Sequence, residues 1–139
     1  MNQLDNPQAT ILLIDDEREM LDNLSKVLST AGYVCHTAQD GETAARVAQC
    51  ITPDLIISDI NLAGHSGLIL AEKLKQDLGM TEVPLMFLSG AQIPDIIRRA
   101  HAAGGTYYLR KPFDPQVLLE LVDKALWMPH LAGARMAAK

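Results

Sequence analysis

The sequence predicts an α/β domain built on a parallel sheet, and three observations carry that prediction. Strand-like and helix-like stretches alternate five times along the chain, the rhythm of strands joined by helical crossovers. Three of the strand-like stretches are continuously apolar, as strands covered by helices on both faces should be. With 139 residues and 48% hydrophobic side chains, the chain suits one core that buries roughly two thirds of its unfolded surface. Neither a repeat of fixed period nor an internal low-complexity run interrupts it.

The first strand is expected at residues 10–14, TILLI. A helix from about residue 17 to 31 follows, with Leu21, Leu24, Val27, Leu28 and Ala31 on one face and a stop at Gly32. Asp16 and Glu19 have the spacing of a capping box at its start. The second strand spans residues 33–38, and the second helix follows Asp40, burying Ala44, Val47, Ala48 and Ile51. The third strand covers residues 55–58. Helix three starts near Ser66 and turns Leu70, Ala71, Leu74 and Leu78 inward before Gly79 ends it. After the fourth strand, residues 85–88, Pro94 opens a helix with Ile96, Ile97 and Ala100 facing inward and Gly104 and Gly105 at its end. The fifth strand is residues 106–109. For the fifth helix, Asp114 is the N-cap, Pro115 the first helical residue, and Phe113 a staple onto Leu118, with Leu121, Val122 and Ala125 continuing the buried face. Pro129 closes it. The expected organisation is a polar tail at 1–8, one domain at 9–127, and a tail or linker start at 128–139.

Composition narrows the function classes. The net charge of -5 and pI of about 5.2 argue against a nucleic-acid-binding surface and favour a protein-contacting module. Cys35 and Cys50 lack CxxC spacing and read as ordinary thiols of a reducing compartment. The start, MNQLDNPQAT, lacks the layout of a signal peptide, and no apolar run reaches the length of a membrane span. A cytoplasmic protein is expected.

Ligands of an open parallel sheet bind beyond the carboxyl ends of its strands. There the sequence places Asp15 and Asp16 after the first strand, Asp59 after the third, Ser89 and Gly90 after the fourth, and Arg110 and Lys111 after the fifth. Singly, each has a bland explanation: a cap, a turn, a strand-end hydroxyl, a solvated lysine. Together they describe a site, because clustered charges are costly unless used. Two carboxylates about 4 Å apart repel by roughly 4 kcal/mol at an effective dielectric near 20, so three call for a cation. Oxygen-only ligands point to Mg²⁺, with Mn²⁺ as the substitute, and to a phosphate oxygen as co-ligand. Lys111 offers a compact positive charge for a phosphoryl group, Ser89 a hydrogen bond to its oxygens, and Asp59 a carboxylate nucleophile.

ILLIDDERE, LIISDINLAGHSG, PLMFLSG and YYLRKPFDP resemble, in order and spacing, the receiver domain of two-component response regulators, over about residues 9 to 127. The resemblance implies a flavodoxin-like single domain, a three-layer (βα)5 sandwich with strand order 2-1-3-4-5. It implies Asp59 as phosphoacceptor, Asp15 and Asp16 as the acidic pair placing Mg²⁺, the Asn61 backbone carbonyl as a further ligand, Lys111 as the phosphate-contacting lysine, and Ser89 and Tyr108 as a conformational switch. The implied partners are a sensor histidine kinase or histidine phosphotransfer protein, and a downstream protein on the face of helix four, strand five and helix five. The implied chemistry is self-phosphorylation and slow self-hydrolysis rather than multiple-turnover catalysis. Two departures stand out. Ala63 occupies a position where many receivers have proline, and Tyr107 one that is often aspartate, which counts against a dimer through that same face and leaves the oligomeric state open. His65 in the loop after Asp59 is read as a bystander.

Two rivals use the same residues differently. A haloacid dehalogenase-like phosphatase also has a strand-end aspartate nucleophile and Mg²⁺, but wants an acid two residues on, where Asn61 stands. A receiver-like binding module without phosphoryl chemistry would not need the acidic pair, Asp59 and Lys111 together.

Overall fold

A computed structural model of the chain describes residues 8–62, 64–90 and 107–127. The expected fourth helix, from Pro94 to Gly105, lies outside them, as do residues 1–7 and 128–139, Ala63, Ala91 and Thr106. Within them run β1 (Thr10–Ile14), α1 (Arg18–Thr30), β2 (Val34–Ala38), α2 (Gly41–Ile51), β3 (Leu55–Asp59), β4 (Asn61–Leu62), β5 (His65–Ser66), α3 (Gly67–Asp77), β6 (Leu85–Ser89), β7 (Tyr107–Arg110) and α4 (Pro115–Trp127). The helix labelled α4 is the fifth one expected from sequence.

Five parallel strands form the sheet, in the order β2-β1-β3-β6-β7. Because β4 and β5 are a separate hairpin, this is the expected 2-1-3-4-5 order. Strand side chains alternate between faces, and the two faces pack different helices. Leu12, Ile14, Ile56 and Phe87 point to the side covered by α2 and α3, where Ala44, Ala48, Ala71 and Leu74 meet them. Ile11, Leu13, Ile57 and Leu88 point to the other, where Leu21, Leu24 and Leu28 of α1 join Leu118 and Val122 of α4. β1, β3 and β6 lie between the two layers and are buried almost throughout. Each such aliphatic side chain contributes about 1.5–3 kcal/mol by leaving water. The core therefore fixes the strand ends on which the polar cluster stands.

Helix ends follow local chemistry. Asp40 accepts the Thr43 N–H at 2.8 Å and Ser66 the Ile69 N–H at 3.3 Å, so α2 and α3 start where the sequence places them. Asp114 Oδ1 takes the Gln116 N–H at 2.8 Å, ahead of Pro115. One expectation is corrected: Asp16 and Glu19 form no capping box. The N-cap of α1 is Glu17, which makes no side-chain cap bond, and the Glu17 N–H goes instead to Asp15 Oδ1 at 2.9 Å. Asp16 lies one residue before the N-cap position, too early to cap.

Candidate functional site

Each polar side chain of the site is held by a strand that the core has already fixed. Asp15 directly follows β1, and its N–H donates to the Ala38 carbonyl at 3.2 Å, extending the β1–β2 pairing. Asp59 is the last residue of β3 and Ser89 the last of β6. Lys111 follows β7, its N–H donating to the Ser89 carbonyl at 2.7 Å. The peptide bond from Lys111 to Pro112 is cis. The sheet thus delivers four strand ends to one place.

There, Lys111 Nζ lies 3.0 Å from Asp15 Oδ2 and 3.0 Å from Asp59 Oδ2. Asp15 is fully buried, while Asp59 and Ser89 are nearly so. Burial pushes the Asp15 carboxyl above the usual carboxylate range, restrained by the Glu17 N–H and by Lys111. For Lys111, burial alone would favour loss of the proton, but the hydrogen bonds and charges of Asp15 and Asp59 outweigh it and raise the amine above its ordinary value. The second oxygen of Asp59, Oδ1, accepts the Asn61 N–H at 3.2 Å, so the chain folds back over its carboxylate.

Carboxylate oxygens of Asp15, Asp16 and Asp59 lie within 4.8 Å of one another, the cluster of potential metal ligands found among the described residues. Carboxylates gathered this closely could supply oxygen ligands to one divalent cation such as Mg²⁺. An all-oxygen set of this charge fits that ion. It does not fit zinc, which favours nitrogen and sulfur.

Ser89 and Tyr108 sit on neighbouring strands, with Phe87 opposite Tyr108 and Ser89 opposite Arg110. By alternation Ser89, Phe87 and Tyr108 share the α2/α3 face, and Tyr108 packs half-buried against that core. His65 is not among the acids. It stands in the β4–β5 hairpin and lines a groove of about 540 Å³ with Asp40, Leu62 and Ile69. The Gln39 side chain, also on that groove, donates to the Asp16 carbonyl at 3.4 Å.

Sequence reasoning missed two residues. Glu17 Oε1 comes within 4.0 Å of Lys111 Nζ, but nothing in DDERE distinguishes it from a solvated helix-start acid. Gly67, the first residue of α3, donates its N–H to the Ile60 carbonyl at 2.6 Å. A Cβ there would overlap the Asp59 carbonyl oxygen. The only signal was a glycine at a helix start, where none is needed for capping.

Comparison with known proteins agrees with this geometry. A family model described as the response regulator receiver domain matches residues 11–123. The phosphate regulon transcriptional regulatory protein PhoB of Pseudomonas aeruginosa is 34% identical over 117 residues, 84% of this chain and 51% of that protein. The DNA-binding transcriptional regulator NtrC of Escherichia coli is 30% identical over 119 residues, 86% of this chain and 25% of that protein. The chain thus spans about half the length, or less, of these curated relatives. Among solved structures, the chemotaxis protein CheY4 of Vibrio cholerae superposes with a TM-score of 0.81 at 31% identity, covering 86% of this chain and 99% of that one. With its five-stranded order, its acid cluster and its strand-end lysine, this chain belongs to the receiver domain family of two-component response regulators.

Proposed function

We propose that Asp59 is the phosphoacceptor, taking a phosphoryl group from the phosphohistidine of a sensor kinase or histidine phosphotransfer protein, or from a small acyl phosphate. A carboxylate oxygen of Asp59 attacks phosphorus in line as the bond to the histidine nitrogen, or to the acyl oxygen, breaks and its electron pair leaves with that group. Asp15, Asp16 and Asp59, with the Asn61 carbonyl, would hold Mg²⁺ or Mn²⁺, which when bound supplies neutralisation of the charge between carboxylates and phosphoryl oxygens. Lys111 leaves its carboxylate contacts to bind a phosphoryl oxygen, and the Ser89 hydroxyl donates to another. The observation that carries this reading is the Lys111 ammonium 3.0 Å from the Asp59 carboxylate, with two more carboxylates alongside.

Hydrolysis is expected to be slow and single, because neither the Asn61 amide nor the small Ala91 side chain supplies an acid or base for an attacking water. The signal then passes to a downstream protein on the surface around β7 and α4, in the cytoplasm. No described helix is long and apolar enough to cross a membrane. The phosphatase alternative is not favoured, since the second acid it needs is Asn61 and the family match is to receivers. The test is incubation with acetyl phosphate followed by intact-protein mass measurement. One phosphoryl adduct should form with Mg²⁺, and none in EDTA or in Asp59→Ala. An adduct that persists in either control refutes the assignment.

A further inference from the structure

Lys111 is surrounded by more anions than the chemistry above uses. Its Nζ has Asp15 and Asp59 at 3.0 Å each and Glu17 at 4.0 Å. The first two belong to the oxygen set that fits a divalent cation, and Glu17 does not. The backbone of Glu17 is nonetheless pinned. Its N–H is bound by Asp15 Oδ1 at 2.9 Å, and its carbonyl accepts the Leu21 N–H at 3.1 Å. The side chain is 67% exposed, with its Oε1 4.0 Å from the Lys111 ammonium.

The consequence appears when a cation is bound. Asp15 and Asp59 then direct charge to the metal, and their hold on Lys111 weakens. Glu17 keeps its whole charge, within reach of the same ammonium. A phosphodonor must draw Lys111 toward its own oxygens, away from Glu17, and must bring its negative charge past that carboxylate.

We propose that Glu17 is a positioning residue that holds Lys111 back from the phosphoryl position and so slows capture of anionic phosphodonors such as acyl phosphates. This rests on the receiver reading of Asp59 and Lys111. Glu17 touches neither phosphorus nor nucleophile; it acts through the lysine and through its field at the entrance. An exposed charge is screened by salt over about 8–10 Å at physiological ionic strength. The effect is therefore modest in size and dependent on salt, which a packing role would not be.

The experiment compares wild type, Glu17→Gln and Glu17→Asp. Self-phosphorylation by acetyl phosphate is followed at saturating Mg²⁺ in low and high salt, Mg²⁺ affinity is titrated without donor, and the Lys111 Nζ resonance is recorded in the Mg²⁺-bound protein. Glu17→Gln should react about two- to fivefold faster at low salt, the range spanned by exposed ion pairs, with the gain shrinking in ~0.5 M salt. It should bind Mg²⁺ more weakly, having one less negative charge nearby, and should shift the Lys111 Nζ signal. Glu17→Asp should fall nearer wild type. An unchanged or slower rate in Glu17→Gln, a gain equal at both salt concentrations, or an unmoved Lys111 resonance overturns the proposal. A wild-type protein that forms no adduct overturns the receiver reading beneath it, which separates the two failures.

Discussion

Asp15 shows at the scale of one residue how this site trades stability for binding. Its carboxyl is held above the usual range chiefly by burial. A raised carboxyl binds its proton more tightly in the folded than in the unfolded chain, so its contribution favours folding in acid and is lost as pH rises through the raised value. At neutral pH the metal-free fold carries Asp15 as a net burden. We expect Asp15→Asn, in EDTA at pH 7, to melt higher by a few degrees, which is about 1 kcal/mol in a domain of this size. The same variant should lose most of the stabilisation that Mg²⁺ gives the wild type. Calorimetry with and without Mg²⁺ checks both, and a lower Tm in EDTA would contradict the sign. Mild acidification of the metal-free wild type should likewise raise its Tm until the pH falls below the ordinary aspartate value toward the depressed one of Asp40. There the Thr43 N–H bond that holds that cap ionised is lost with its charge, and stability falls. Sequence made the acids legible because four strand ends converge in any parallel sheet of this order. It did not reveal which of Asp15 and Asp16 is buried, because adjacent residues point oppositely and a one-residue difference in strand end decides it. That is also why the capping role given to Asp16 failed.

At the scale of elements, the join between β3 and α3 carries more constraint than its sequence advertises. Asn61–Leu62 and His65–Ser66 pair as antiparallel strands of two residues each, too short for any periodic signal, yet they return the chain so that α3 begins against the end of β3. Gly67 permits that approach. A Cβ there would also lie 2.9 Å from the Asp59 carbonyl carbon and 3.1 Å from Ser58 Oγ. We expect Gly67→Ala to destabilise by about 1–3 kcal/mol, the usual cost of overpacking, and to weaken Mg²⁺ binding by displacing Asp59. Gly79→Ala is the control: its φ of +65° strains a side chain, but nothing lies within 4 Å, so it should lose stability and retain Mg²⁺ affinity. Equal loss of metal binding in both would show that Gly67 acts through general stability alone. The long elements were legible because their apolar residues keep one period over ten or more positions. The hairpin, and the left-handed Thr52 that ends α2 at φ 50°, were not. There the sequence spends a single residue on geometry that tertiary contacts enforce.

For the whole molecule, a phosphoryl group on Asp59, as proposed above, would have to be sensed through the strands that lie between β3 and the edge of the sheet. Among the described residues, β6 and β7 run from Asp59 to the far edge of the sheet, and they place Ser89, Phe87 and Tyr108 on one face, with Phe87 opposite Tyr108. Phosphorylation adds charge and strong acceptors beside Ser89, whose hydroxyl would be drawn toward them by a charge-assisted hydrogen bond. That motion would let the half-buried Tyr108 ring turn toward the place that the hydroxyl leaves. Such a change is a shift between arrangements that both pre-exist, biased by the new charge. Beryllofluoride with Mg²⁺ serves as a stable phosphoryl mimic. In wild type it should move the NMR signals of Tyr108, of the amides of residues 94–103 and of the exposed surface of α4 together. In Ser89→Ala the mimic should still bind, because the acids and Lys111 remain, but the distal shifts should shrink while those at Asp15, Asp16 and Asp59 persist. If Ser89→Ala gives distal shifts as large as wild type, the signal leaves Asp59 by another route. Lys111 would then be the next residue to test, since its N–H on the Ser89 carbonyl already ties it to the same strand end.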